Sequence, residues 1–306
     1  MKLNIVVLAK QVPDTHNITA QAMKEDGTVN RAALPAIFNP EDLNALEMAL
    51  TVKEEYGAAI TVITMGPPRA SQMLREALYR GADRTILLTD RAFAGSDTLA
   101  TSHTLGLAIR KIGKVDIVIC GRQAIDGDTA QIGPEVAEKI GYNQITYVEQ
   151  IQKIEKNSIT LFRNLGRTSE TIRTKLPVLI TVTGTANRPR SFGAKYMMRF
   201  KKARTWLEVA DEIRNATGGT TYAEDYVQDQ INRKCADMKK RGLLIETWSS
   251  AELKVDASSV GFAGSPTKVK KIESIVLTAR EIKTVPPTDE GIKSLIKELI
   301  EEKTFV

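Results

Sequence analysis

The sequence predicts an α/β protein whose core is a parallel sheet covered by helices. Over the first two-thirds of the chain, short apolar runs alternate with segments that carry helix start and stop signals, a rhythm typical of βαβ units. From residue 145 the rhythm changes to three extended segments with short polar connections, which predicts an antiparallel addition to the sheet. Beyond Gly184 the compact pattern ends, and we expect an extended C-terminal arm. The predicted division is an α/β domain over residues 1–188 and an arm over residues 189–306.

The first half of the core begins with a predicted strand at Leu3–Ala9. The next helix begins at Asn39-Pro40-Glu41-Asp42, because Asn is favoured at an N-cap, Pro at the first helical position and acidic residues in the first turn. Right-handed crossovers place the carboxyl ends of all these strands, and so any ligand site, along one edge of the sheet. The other elements predicted before residue 145 are strands at 60–65, 85–88 and 116–120 and helices that end at Gly57, Gly81, Gly113 and Gly141.

The second half starts with the antiparallel addition, whose segments are Ile145–Ile154, Ser158–Leu165 and Ser169–Leu176. Residues 177–183 are apolar enough to form another central strand. Within the arm, residues 222–241 allow a helix with a weak apolar face, and a short terminal helix is expected at 293–300. Since such an arm has little core of its own, we expect it to wrap a partner protein.

Composition excludes several classes of protein. The 42% apolar and 26% charged residues are ordinary for a globular domain. No apolar run approaches the roughly 20 residues that span a bilayer, and Ile5–Ala9 is too short for a signal peptide, so we expect a cytoplasmic protein without membrane contact. The basic clusters at 199–204 and 268–271 lack the aromatic interleaving of nucleic-acid-binding modules. We expect them to be solvated faces or a docking surface for an acidic protein.

Cysteine and histidine are too scarce for several kinds of site. Cys120 and Cys235 cannot build a disulfide framework or a four-ligand zinc site, and Cys120 at the end of an apolar strand predicts a small buried hydrophobe. The only histidines are His16 and His103, and His103 lies in a helical pattern without a matching carboxylate pair. We therefore expect no metal site and no His-dependent hydrolysis.

The most informative stretch is Asp116–Pro134, where an apolar run leads through small polar residues to a helix with Thr129 as its expected N-cap. The first N–H groups of a helix lack intrahelical partners and carry the positive end of its dipole. Small residues let a phosphate approach this backbone closely. The stretch therefore predicts a nucleotide-binding anion site, with an ordinary strand–loop–helix connection as the alternative. It matches neither Walker A nor Gly-x-Gly-x-x-Gly, since no Gly-Lys-Ser/Thr follows and Gly121, Gly127 and Gly133 are six apart.

At this loop the sequence resembles the beta subunit of electron-transferring flavoproteins. The resemblance covers most of the chain in order, and the loop combined with an Asn-Pro and a Gly-Ala-Asp sequence makes it specific. Its segments are Val7–Val12, Asn39-Pro40, Thr64–Pro67, Arg80–Arg84, Gly121–Gly133, Lys175–Val178 and Asn187–Arg190.

The resemblance implies a Rossmann-like core of the adenine nucleotide alpha hydrolase type and a heterodimer with an alpha subunit that carries the electron-transferring FAD. In one branch of the family the beta subunit holds AMP in a structural role. In the flavin-bifurcating branch it holds a second FAD, which accepts a hydride from NADH. One electron then goes to the alpha-subunit FAD and a flavin dehydrogenase of the acyl-CoA or 2-hydroxy-acid type, and the other goes to ferredoxin.

The loop resembles the bifurcating version more closely. Gly127 and Thr129–Ala130 stand where the AMP branch usually has bulkier or acidic residues, and Gly127 and Ala130 free space beside the phosphate for the rest of an FAD. We therefore expect FAD as the cofactor, with AMP as the alternative, and NAD(H) as the substrate. Because the cofactor carries this chemistry, no catalytic side chain is expected. A stand-alone nucleotide hydrolase is disfavoured, because the chain has no Ser-Gly-Gly-x-Asp loop.

The resemblance also implies the binding residues. Leu8 and Ala9 would border the adenine by their backbone, with Asn39 and Met65 nearby; Asn39 is alternatively a helix N-cap and Met65 simple packing. The N–H groups of residues 128–132 are expected to hold the pyrophosphate. The loop residues of the predicted site are Gly121, Arg122, Gln123, Ala124, Ile125, Asp126, Gly127, Asp128, Thr129, Ala130, Gln131, Ile132 and Gly133.

Three charged loop residues have separate expected roles. Arg122 is the expected cation near phosphate or incoming NADH, with an ordinary surface arginine as the alternative, because its guanidinium can make charge-assisted hydrogen bonds. Asp126 and Asp128 repel phosphate, so they are expected to point away and brace the loop.

Two features depart from the family pattern. The segment after Arg190 keeps the basic end of the family's recognition loop, which is expected to dock the dehydrogenase. Phe192–Phe200 has the aromatic, Met and Arg content of an interface, with a helix packed on its own domain as the alternative. The usual Leu anchor has no counterpart, since ungapped counting places Ala194 there, and the dehydrogenase is therefore not identified. The chain is also several tens of residues longer than typical beta subunits, mostly between Gly218 and Val260.

Overall fold

The computed structural model describes residues 2–14, 34–217, 224–268 and 284–301. Over these residues the strands are β1 (Leu3–Leu8), β2 (Gln11–Pro13), β3 (Ala36–Phe38), β4 (Ala58–Met65), β5 (Arg84–Leu88), β6 (Ile117–Gly121), β7 (Asn143–Ile154), β8 (Ser158–Asn164), β9 (Ser169–Lys175), β10 (Val178–Val182), β11 (Arg204–Thr205) and β12 (Leu244–Trp248). The α helices are α1 (Pro40–Tyr56), α2 (Ser71–Arg80), α3 (Thr98–Ile112), α4 (Ile132–Ile140), α5 (Ala194–Phe200), α6 (Trp206–Thr217), α7 (Glu224–Lys240), α8 (Ser250–Leu253) and α9 (Asp289–Glu301).

Ten of these strands form one sheet in the order β11-β12-β5-β4-β1-β6-β10-β7-β8-β9, and β2 pairs with β3. Every neighbouring pair from β11 to β7 is parallel, whereas β7, β8 and β9 form an antiparallel meander. The predicted α/β class and its antiparallel addition are therefore confirmed. The apolar segment at 177–183 also forms the expected central strand, β10.

Helices cover both faces of the sheet. Alternate residues of each strand point to opposite faces, and on the central strands both sets are apolar and need to be buried. On β1, Ile5 and Val7 belong to the core built with α1 and α2, whereas Val6 and Leu8 belong to the core built with α3 and α4. The neighbouring strands β1 and β6 are thus followed by helices on opposite faces, α1 and α4. Such a switch point leaves a crevice outside the carboxyl ends of the two strands, where open α/β sheets bind their ligands.

The chain beyond residue 188 is less extended than we expected. Residues 204–248 add β11 and β12 to the sheet, and Trp248 of β12 pairs with Leu88 of β5. Helix α7 buries one side chain every three or four residues, so its buried face is a single row of side chains. Such a narrow row gives only a weak apolar pattern in the sequence, but it is enough to pack the helix on the core. The buried side chains of α7 are Val227, Ile231, Cys235 and Met238.

The last helix differs from the others. Helix α9 confirms the predicted terminal helix, but it buries none of its residues, and its Ile292, Ile296 and Ile300 are exposed. Among the helices described, none is long and apolar enough to cross a membrane.

Candidate functional site

The loop between β6 and α4, residues 122–131, lies at the carboxyl edge of the sheet beside the switch point. Helix α4 begins at Ile132, with Gln131 at the N-cap position and no capping side chain. The expectation that Thr129 caps this helix is therefore wrong. The physical reason is Ala130, whose φ of 53° is left-handed and stops a right-handed helix from starting earlier.

The backbone of this loop presents unused hydrogen-bond donors. The N–H groups of Gly127 and Asp128 donate to the carbonyl of Ala124 over 3.3 and 2.9 Å. The expected row of free donors therefore does not include Asp128, whose N–H closes this turn. After the turn, no acceptor in the described part of the chain takes a hydrogen bond from the N–H groups of Thr129, Ala130, Gln131, Ile132 or Gly133.

The conformation of the loop suits an anion. Asp128 and Ala130 have left-handed φ values of 50° and 53°, and Gln131 is right-handed with φ −96° and ψ −30°. Successive N–H groups in such mixed-handed turns form concavities that bind anions. Left-handed non-glycine residues are also uncommon and cluster at functional sites. The loop can therefore hold a phosphate by backbone groups alone.

The acidic side chains of the loop are occupied by partners within the chain. Asp126 forms an ion pair with Lys10 at 2.7 Å, and Asp128 accepts a hydrogen bond from Gln123 at 2.9 Å. Both carboxylates thus tie the loop to neighbouring residues, and the ion pair with Lys10 partly neutralises the charge of Asp126.

Asn39 holds the loop from the opposite side of the crevice. It is fully buried, and its amide donates to the carbonyl of Gln123 over 2.9 Å and accepts from the N–H of Ile125 over 3.2 Å. The side chain does not cap α1, although the residue occupies the N-cap position. Asn39 is therefore the N-cap residue of α1 by position, as predicted, while its side chain serves the loop, and its contact with an adenine stays a prediction.

Asp42 ties the two strands of the switch point together. Its carboxylate accepts the N–H of Lys10, after β1, and the N–H of Gly121, at the end of β6, both over 2.9 Å. Burial raises its pKa to about 7, against the lowering effect of these two hydrogen bonds. A Cβ on Gly121 would lie 2.5 Å from Oδ1 of Asp42, so the close approach of α1 to β6 requires glycine there.

Arg122 is a fixed cation at the mouth of the crevice. Its guanidinium lies 3.1 Å from Glu41 and 5.8 Å from the ring centroid of Tyr147. Glu41 also accepts the N–H of Gln123 over 2.9 Å. About a third of the Arg122 side chain stays exposed, so it can still reach a ligand.

Two glycines of the loop differ in their surroundings. A Cβ on Gly127 would meet nothing within 4 Å, whereas a Cβ on Gly133 would lie 2.6 Å from Thr181 and 3.0 Å from Cys120. Gly133 therefore serves the packing of α4 on the sheet, and Gly127 leaves open space beside the loop. Cys120 is buried, and burial raises the pKa of its thiol, as expected for an inert core residue.

The residues expected near an adenine lie on the neighbouring strand ends. Leu8 and Ala9 are buried at the end of β1, and the N–H of Ala9 donates to Ile63 over 2.9 Å. Met65 ends β4 and is half-buried. The structure thus brings residues 8–9, 39 and 121–133 to one crevice with Met65 beside it, while their contact with a nucleotide remains a prediction.

The structure adds four residues that sequence reasoning missed: Lys10, Glu41, Asp42 and Tyr147. In the sequence, Glu41 and Asp42 are interpreted only as partners of the helix dipole. Their role in the site could have been inferred because Asn39, Glu41 and Asp42 are polar neighbours where a helix starts at the carboxyl edge of a sheet.

Histidine has no evident place in the site. His103 lies in α3, where burial and then Lys139 and Arg110 lower its pKa, and His16 lies outside the described residues. Residues 2–14, 34–217, 224–268 and 284–301 contain no group of three or more His, Cys, Asp or Glu that could hold a metal ion.

The segment expected to dock a dehydrogenase is held on α1 and α2. Arg190 forms ion pairs with Glu47, at 2.9 Å, and with Glu54. Phe192 lies edge-on to Tyr79 with ring centroids 5.6 Å apart. Beyond these anchors Tyr196, Met197 and Met198 are exposed, Met198 the most at 66%, whereas Phe200 at the end of the segment is buried.

Comparison with known proteins agrees with the resemblance. Residues 26–211, more than half of the chain, match the electron transfer flavoprotein domain. The chain is 39% identical over 301 residues to the electron transfer flavoprotein subunit beta of Clostridium acetobutylicum, an alignment that covers 98% of this chain and 99% of the relative. Because both chains align over nearly their whole length, the extra residues at 218–260 are not peculiar to this protein.

Two further relatives have other names. The chain is 49% identical over 189 residues to the caffeyl-CoA reductase-Etf complex subunit CarD of Acetobacterium woodii, which covers 61% of this chain and 71% of CarD. It is 39% identical over 277 residues to protein FixA of Azorhizobium caulinodans, which covers 88% of this chain and 84% of FixA.

Proposed function

Because the chain belongs to the electron transfer flavoprotein family as a beta subunit, we propose that it holds FAD in the crevice between β1 and β6 and takes part in flavin-based electron bifurcation. Electron transfer together with an alpha subunit is the role of the family. The finer proposal is that the complex oxidises NADH and divides its electrons between two acceptors. These acceptors are the alpha-subunit FAD, which serves a flavin dehydrogenase, and ferredoxin.

The observation that carries this proposal is the row of free backbone donors at Thr129–Gly133 beside open space at Gly127. The N–H groups would bind the pyrophosphate, and Arg122 would add a charge-assisted contact. The open space suits the part of FAD that AMP lacks. The adenine would lie over the ends of β4 and β1, near Met65, Leu8 and Ala9.

The chain's own residues fit, without acid–base chemistry, the task of holding such a cofactor. Asn39, Glu41 and Asp42 fix the loop backbone, and the ion pair with Lys10 partly neutralises the charge of Asp126. When bound, FAD would supply the hydride acceptance and the one-electron transfers. A subunit with AMP in the same loop and no NADH oxidation is the alternative, because the free donors would equally hold one phosphate.

The relatives give the proposal its partner class. The name of CarD describes a subunit in a complex of Etf with a CoA-thioester reductase, which supports a flavin dehydrogenase of the acyl-CoA type as partner here. A 2-hydroxy-acid dehydrogenase remains the other candidate, since recognition depends mostly on the partner.

The experiment that tests the proposal uses Gly127→Trp in the heterodimer. The large side chain should fill the space beside the loop, exclude FAD from the beta subunit and abolish its reduction by NADH, while the alpha FAD and the heterodimer persist. Gly127→Ala is the matched control and should behave like the native protein. Unchanged reduction by NADH in Gly127→Trp would contradict the proposed FAD position.

A further inference from the structure

Tyr147 has an unusual backbone in the middle of β7. Its φ of 60° is left-handed, and its N–H donates to the hydroxyl of Thr181 over 3.2 Å. The register between β7 and β10 shifts between Ile180 and Val182, which marks a bulge. A left-handed φ is unfavourable for a bulky residue, and bulges beside functional sites redirect side chains. The irregularity therefore determines where this ring points.

The ring points to the mouth of the candidate crevice. The Arg122 guanidinium, the first charged group after β6, lies 5.8 Å from the ring centroid and forms an ion pair with Glu41 at 3.1 Å. Tyr147 is half-buried, so part of the ring is still available to a ligand.

The order of the strands gives a direction to a bound dinucleotide. Resting on the proposed function, the adenine lies over β4 and β1 and the phosphates lie at the loop after β6. The next strands in the same direction are β10 and β7, and with neighbouring strands about 4.8 Å apart, β7 lies roughly 10 Å beyond β6. AMP ends at its phosphate, whereas FAD continues past it through a ribityl chain to three fused rings.

We propose that Tyr147 forms the wall of the site on the flavin side, contacts the half of FAD that AMP lacks, and so distinguishes FAD from AMP. Its ring offers an aromatic face or edge to the flavin rings, a contact whose geometry favours offset or edge-to-face packing. Arg122, held between Glu41 and Tyr147, lies between this wall and the phosphate loop.

The test compares binding of two probes, FAD and AMP, to the full chain freed of nucleotide, by isothermal titration calorimetry. Tyr147→Ala should weaken FAD binding by about tenfold, the upper range for an aromatic contact, and AMP binding by no more than about twofold. Tyr147→Asn should do the same while it tolerates the left-handed backbone, and Tyr147→Phe should bind FAD like the native protein. Tyr56→Ala, at the opposite edge of the sheet where α1 ends, is the matched control.

The outcomes separate this inference from the proposed function. If the native chain binds FAD and both Tyr147→Ala and Tyr147→Asn bind it equally well, the inference is wrong and the proposed function stands. Equal weakening of FAD and AMP would also overturn it, because Tyr147 would then only support the loop. If the native chain binds AMP but no FAD, the proposed function fails, and the inference fails with it.

Discussion

The carboxylate of Asp42, in the first turn of α1, accepts the N–H of Gly121 at the end of β6 over 2.9 Å. Its second oxygen accepts the N–H of Lys10, just after β1. One buried side chain thus fixes the separation of the two strand ends that form the candidate crevice.

Replacing Asp42 by Asn should flatten the dependence of stability on pH. Burial raises the pKa of Asp42 from 3.8 to about 7 in the folded chain. Between these values the folded chain binds one proton more than the unfolded chain, so its stability falls as the pH rises through this window. One pKa unit corresponds to about 1.4 kcal/mol. Across this window the free energy of unfolding of the native protein should therefore fall by on the order of 4 kcal/mol, and that of Asp42→Asn should not show this fall.

Urea unfolding at several pH values between 4 and 8 measures this difference. Asp229→Asn, at a half-buried residue on α7 that pairs with Arg233, serves as the control and should follow the native curve. Parallel curves for the native protein and Asp42→Asn would show that Asp42 does not titrate in this range.

Gly121 and Gly127 should respond in opposite ways to one added methyl group. In Gly121→Ala the Cβ would lie 2.5 Å from the Asp42 carboxylate and 2.8 Å from Glu41, so we expect a loss of about 1–3 kcal/mol from overpacking. In Gly127→Ala the Cβ meets open space and stability should not change. Thermal unfolding midpoints of the two variants test this, and equal midpoints would contradict the described approach of α1 to β6.

Asn39→Ala should weaken nucleotide binding because the loop that holds the phosphates loses its support, in addition to any direct contact between Asn39 and the nucleotide. The substitution leaves the carbonyl of Gln123 and the N–H of Ile125 without their partner, at a cost of about 1–3 kcal/mol for each group that stays buried. Asn44→Ala on the same helix removes comparable hydrogen bonds to Asn187. Nucleotide affinity should fall only in Asn39→Ala, and an equal fall in both variants would indicate a general effect on α1.

Met198→Asp should impair transfer to the dehydrogenase without affecting the nucleotide. Deletion of residues 192–202 would also remove the buried Phe200, so a single exposed position is the cleaner test. Since charged residues are depleted at interface cores, we expect electron transfer to the dehydrogenase to slow by about tenfold or more. Phe262→Asp, at another exposed apolar residue, is the control, and an unchanged rate in Met198→Asp would exclude this position from the docking surface.

Much of the fold follows from local sequence signals, whereas the site depends on distant contacts. Strand runs, Gly helix ends and the 116–134 loop predict the central sheet and its ligand edge, because apolar periodicity and turn chemistry act over a few residues. The start of α4 was misplaced, because nothing local predicts a left-handed Ala130. Asp42 contacts Gly121, Asn39 contacts Gln123 and Arg122 contacts Glu41, each across about 80 residues of sequence, and only the assembled sheet brings these residues together.

In the C-terminal region, too, the structure depends on contacts between residues that are distant in the sequence. Helix α7 is polar on most of its surface, and its four buried side chains become a packing stripe only when β12 pairs with β5. A sequence pattern that is weak by itself can therefore complete a core that other strands have already built.

The most direct measurement for the central claim is the nucleotide content of the native heterodimer after acid release. We expect two FAD per native heterodimer. The Gly127→Trp heterodimer should contain one FAD, and the Gly127→Ala heterodimer should contain both. One FAD with one AMP per native heterodimer would contradict the central claim.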